Sequence, residues 1–73
     1  MPLIFGRPNE EFVIEKILGG SSISLRLKEI GVIPGVKVLI VSNSGGPIVI
    51  GIGNMRLALG RGIASKIIVR KIV

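Results

Sequence analysis

Apolar residues in this chain follow two different periods, and the switches between them lay out the elements. Ile48, Ile50 and Ile52 alternate with Val49, Gly51 and Gly53, a period of two that predicts a strand. Ile23, Leu27 and Ile30 instead recur at i, i+4 and i+7, which is one face of a helix. Ser21 or Ser22 is placed to cap that helix by bonding a free N–H of its first turn. Gly31 suits the left-handed position just past the helix end, and Pro34 prevents continuation. The helix is therefore expected over residues 22–30, about two and a half turns. A helix this short cannot stand alone in water and must dock its apolar stripe on a sheet.

Pro34-Gly35 predicts a type II turn, because Pro presets φ at the second position and Gly accepts positive φ at the third. A strand follows over residues 36–41, its wetter face marked by Lys37. Residues 42–47, SNSGGP, read as a loop. Gly53-Asn54 reads as a hairpin turn, after which residues 55–59 pair back. Residues 60–65 form a corner with room for one helical turn, and residues 66–72 are the last strand, with Ile67 and Val69 inward. Upstream, residues 11–18 read as a first strand whose buried face is either Phe12 and Ile14 or Val13 and Ile17. Residues 1–9 carry two prolines and no period, and read as a flexible or loosely docked tail. Five short strands, one helix and tight turns predict an all-β, small, partly open barrel, a single domain over the 73 residues.

Composition narrows the chemistry. Hydrophobic residues make up 48% of the chain, which a domain this small needs, since it buries only roughly 60% of its unfolded surface. No apolar run reaches the roughly 18 residues of a membrane span. The start, MPLIFGRP, lacks the charge and apolar core of a signal peptide. With no cysteine there is no disulfide, and the cytoplasm is the expected compartment. His, Cys and Asp are all absent, and most acid/base, nucleophilic and soft-metal chemistry needs one of them. No catalytic residue, no metal site and no cofactor are expected; the reading is a binding module and not an enzyme. Glu11 and Glu15 share a strand face without a further ligand, so no tight iron site is expected. Gly51-Ile52-Gly53 lacks the third glycine of a dinucleotide fingerprint, since Arg56 stands there, and reads as hairpin glycines.

The net charge of +6 would attract nucleic acid, anionic lipid or an acidic protein face. The ten basic residues are spread along the chain, and with no Tyr or Trp there are few stacking platforms for single strands. No specific nucleic acid is expected. Candidate partner-binding residues are Leu25, Arg26 and Glu29 on the outer helix face, with Met55 and Arg56 beside the Gly53-Asn54 turn. Neither the helical stripe nor the strand alternation claims them, and an apolar residue beside Arg is a plausible interface anchor.

The order Arg26-Leu27, Glu29-Ile30-Gly31, Pro34-Gly35 resembles the RL-x-E-[LI]-G-x-x-PG signature of FeoA domains. The resemblance continues through Pro47-Ile48-x-Ile50-x-Ile52, Arg56-Leu57-Ala58-Leu59 and Ala64-x-x-Ile67-x-Val69, and covers about residues 12–72. It implies an SH3-like barrel with an inserted helix. It also implies a small cytoplasmic accessory protein acting on FeoB, the ferrous iron permease with a cytoplasmic GTPase domain. Two stretches depart from the pattern: Gly45-Gly46 and Gly60-Arg61-Gly62 stand where the family usually carries acidic residues, which raises the positive charge. The alternatives are a basic nucleic-acid-binding small barrel and a regulatory interaction domain like that of iron-dependent repressors. Against the latter, the chain shows no helix-turn-helix.

Overall fold

The structure, a computed structural model, describes residues 1–72. A short 3-10 turn, Leu3–Phe5, precedes β1 (Glu11–Ile17), α1 (Ser21–Glu29), β2 (Lys37–Ser42), β3 (Ile48–Ile52), β4 (Met55–Leu59), the single-turn α2 (Arg61–Ala64) and β5 (Ile67–Lys71). All pairings are antiparallel, in the order β4-β3-β2-β1-β5. Irregularities between Ile14 and Lys16 on β1 and between Ile40 and Ser42 on β2 interrupt the register. Such bulges bend a strand and sharpen its twist, which lets a five-stranded sheet curl around one core. The fold is the all-β, partly open small barrel that the spacing predicts.

The buried face of β1 is Phe12 and Ile14, both 1% exposed, while Val13 and Ile17 are only half-buried. Ile40, Ile48, Ile50, Ile67 and Val69 are fully enclosed with them. Ile67 and Val69 point inward as the alternation of β5 requires.

Helix α1 ends as Gly31 predicts. Gly31 has φ +90°, its N–H donates to the Lys28 carbonyl (3.0 Å), and the Val32 N–H donates to the Leu27 carbonyl (2.8 Å). These are the paired bonds of a Schellman motif, with Leu27 and Val32 buried together beneath it. The turn after it also forms: Gly35 has φ +92°, and the Val36 N–H donates to the Ile33 carbonyl across Pro34-Gly35 (3.2 Å). Gly53 has φ +56° and joins Ile52 to Met55 through Asn54 in a two-residue hairpin.

Three expectations are corrected. Residues 1–9 are not a tail. Leu3 is 0% exposed, Pro2 bridges Ile68, and Met1 and Val69 exchange bonds of 2.9 and 2.7 Å through the terminal ammonium and the Met1 carbonyl. The segment shows no period because a 3-10 turn and bridges to distant residues hold it, not a repeating element of its own. The serines are not caps. Gly20 occupies the N-cap position without a side-chain bond, and Ser21 and Ser22 lie within the first turn. Ile30 is 41% exposed, since it is the residue at which α1 leaves helical geometry; Val32 takes its place in the core.

Candidate functional site

The five candidate residues all lie on the surface. Leu25 is 59% and Met55 45% exposed, and Arg26, Glu29 and Arg56 are exposed too. They do not form one patch. Leu25 lies in an open depression with Ser21, Ser24 and Lys28. Arg26 lines an apolar groove of about 190 Å³ between α1, the end of β4 and α2, formed with Ile23, Ile30, Leu59 and Ile63. Arg56 lines a separate pocket of about 210 Å³ with Lys37, Leu39, Gly51 and Glu11. Leu59 meets the helix and Met55 meets the hairpin turn, four strand positions apart, or about 13 Å at ~3.3 Å each. The helix-borne and hairpin-borne residues thus occupy opposite ends of β4.

Arg56 is held by what is missing beside it. A Cβ on Gly51, its direct partner on β3, would sit 2.7 Å from the Arg56 Nη1. The guanidinium therefore lies over the strand and buries Gly51.

Sequence patterning missed two features. Phe5 is 65% exposed, which makes it a further aromatic candidate for a partner contact. Residues 1–9 carry no period, so nothing in the pattern singles it out. Asn43, in the β2–β3 loop, donates through Nδ2 to the carbonyls of Ile4 and Gly6 (2.8 Å each) and accepts from Arg61 at Oδ1 (2.7 Å). The bonds of Asn43 span 39, 37 and 18 residues, so no local pattern could reveal it.

The acidic side chains are few and partly engaged. Lys71 donates to Glu10 at 2.8 Å, and Arg70 stands 3.9 Å from Glu15. Among the described residues, no three His, Cys, Asp or Glu side chains converge as metal ligands would. The Lys71 hydrogen bond, helped by the Arg7 backbone N–H, holds the Glu10 carboxyl below its usual value. A carboxylate whose pKa is lowered on folding adds stability above its unfolded pKa, and that stability is lost as pH falls through the folded value. Glu10→Gln is therefore expected to flatten the pH dependence of stability below about pH 4.3, the ordinary glutamate value. Urea unfolding at a series of acidic pH values checks it; an unchanged slope would refute the pairing.

Comparison with known proteins decides the family. The model of the FeoA domain matches residues 1–71. The chain belongs to the FeoA family. It is 37% identical over 68 residues to a protein of Methanocaldococcus jannaschii named provisionally as Fe(2+) transport protein A, covering 93% of this chain and 83% of that one. It is also similar to the crystal structure of an iron uptake regulatory protein (FeoA), with TM-score 0.93, 33% identity, and 99% and 97% of the two chains covered. FeoA of Stenotrophomonas maltophilia, solved with zinc, matches with TM-score 0.83 and 26% identity over 96% of this chain and 89% of that one. That protein is described as an SH3 domain and a candidate ferrous iron transport activating factor. The SH3-like FeoA fold implied by the RL-x-E-[LI]-G-x-x-PG pattern is thus shown for this chain. Among the described residues, no helix is long and apolar enough to cross a membrane.

Proposed function

We propose that this FeoA-family chain is a non-enzymatic cytoplasmic accessory protein of ferrous iron uptake that docks on the cytoplasmic part of the permease FeoB and modulates it. The observation that carries this reading is the exposure of Leu25 and Met55, each beside an arginine, on a barrel of net charge +6. A small apolar centre with a charged rim is how a transient interface is built. The side-chain set also favours contact over chemistry: four glutamates, with no imidazole and no thiol. Iron then concerns this chain through its partner, with Leu25, Arg26 and Glu29 meeting FeoB on one surface and Met55 and Arg56 on another.

Replacing Leu25 and Met55 by Ser is expected to leave stability within about 1 kcal/mol, as for other exposed positions. The same change should cut permease-dependent uptake of radiolabelled ferrous iron several-fold. Single variants separate the helix surface from the hairpin surface. Arg56→Glu should slow association more than it speeds release, because rim charges act mainly on encounter. A folded double variant with unchanged uptake and unchanged co-purification with the permease would overturn the reading.

A further inference from the structure

Strand β4 is an edge of the sheet, bonded to β3 alone. The other edge, β5, is covered by the bridge from Pro2 to Ile68 and the bonds between Met1 and Val69. The two-residue hairpin closes β3 and β4 on the pair Ile52–Met55. Antiparallel ladders alternate, so Ile50–Leu57 and Ile48–Leu59 are bonded pairs while Gly51–Arg56 and Val49–Ala58 are not. The N–H and C=O groups of Arg56 and Ala58 therefore point away from the sheet. Both residues are exposed, and among the described residues no backbone group outside the ladder bonds to them. An open row of this kind is a template for another strand.

The two sides of this edge differ in chemistry. On the inner side Leu59 lines the apolar groove with Ile23, Ile30 and Ile63. On the outer side lies Arg56, the cation nearest the edge, whose guanidinium rests over Gly51 of β3, with Lys37 of β2 and Glu11 of β1 further in across the sheet. A strand added to β4 would place alternate side chains on these two sides.

We propose that β4 receives an extended partner segment in which apolar and acidic residues alternate, added as a further strand of the sheet. Main-chain bonds to Arg56 and Ala58 hold it, apolar side chains turn toward the groove at Leu59, and carboxylates on the outer face stand beside Arg56, the cation that β4 itself carries. A second copy of this chain is the poorer occupant: each copy carries +6, and β4 offers no acid to meet Arg56. The inference extends the docking proposed above and rests on it only for the partner's identity.

The test uses the full chain, isotope-labelled for NMR, and short end-capped peptides of alternating Glu and Val, of alternating Lys and Val, and of Glu and Val in separate blocks. The alternating Glu/Val peptide should bind at least about tenfold more tightly than either control, since like charge at the edge repels and blocks cannot match the pleat. It should also slow amide exchange at Arg56 and Ala58. Ala58→Pro removes one edge donor and leaves the β3 ladder intact, so binding should fall about tenfold or more. Arg56→Glu should reverse the preference toward the Lys/Val peptide, and this arm decides if Ala58→Pro fails to fold. Equal binding of acidic and basic peptides, or perturbations away from β4, would overturn the proposal. So would protection of both amides in concentrated free protein, which would assign the edge to a second copy. Peptide capture at β4 with iron uptake unaffected by Arg56→Glu would leave the edge site standing and remove the permease as its partner.

Discussion

Leu3→Ala is expected to destabilise the protein by about 3 kcal/mol, within the ~2–5 kcal/mol range of buried leucine truncations. The Leu3 side chain is wholly enclosed, and the segment around it is tied at both ends. Met1 bonds to Val69 of β5, which sets Pro2 opposite Ile68, and further on the Asn9 N–H donates to the Ile40 carbonyl at 2.8 Å. Anchored this way, the backbone cannot collapse into the space left behind, so the cavity penalty adds to the lost transfer energy. For a domain of this size each kcal/mol moves the melting temperature by roughly 4–8 °C, so a fall of about 12–24 °C is expected. Thermal unfolding followed by circular dichroism measures it. A loss below about 1 kcal/mol, the size of an ordinary surface change, would mean that the N-terminal segment is not part of the core.

Asn43→Ala carries the second large effect. It removes both donors to the carbonyls of Ile4 and Gly6 and the acceptor for Arg61. At about 1 kcal/mol net for each hydrogen bond, a loss of about 2–3 kcal/mol follows. Asn43→Asp distinguishes the two sides of this clamp. It keeps an acceptor for Arg61 and strengthens it with charge, but it has no N–H and sets a carboxylate against two carbonyl oxygens. Destabilisation by Asp at least as large as by Ala would show that holding the N-terminal segment is the main role of Asn43. Recovery by Asp would shift that role to Arg61. Because Leu3 and Asn43 fasten the same segment, the double variant should cost less than the two losses added together, and urea unfolding of all three proteins tests this.

The elements that were legible in advance are those whose causes are local. The Leu27–Val32 Schellman pair follows from one glycine at the right distance from a helical stripe. The Pro34-Gly35 turn and the Gly53-Asn54 hairpin need only a proline, an asparagine and two glycines with positive φ. The alternation of Ile48, Ile50 and Ile52 with smaller residues is carried by the strand itself. The SH3-like FeoA architecture was readable because these local signals occur in a fixed order.

Other features depend on residues that meet only after folding. The choice between Phe12/Ile14 and Val13/Ile17 could not be made from β1 alone, because both sets alternate and the packing of β2, β5 and the N-terminal segment decides which face is enclosed. Ile30 fits the helical stripe by spacing but lies where the backbone leaves the helix, so Val32 fills the core instead. The candidate docking residues are all exposed, yet their division between the two ends of β4 follows from where α1 packs in the fold, not from their spacing.

The strands, the helix, the turns and the lack of His, Cys and Asp are all written in the order of residues, because periodicity, φ preference and side-chain inventory act within a few residues. That residues 1–9 close the β5 edge, that Asn43 clasps them from the β2–β3 loop, and that β4 is left open between an apolar groove and Arg56 is settled by tertiary packing alone. Each of these rests on contacts between residues far apart in the chain, whose energies no local pattern encodes.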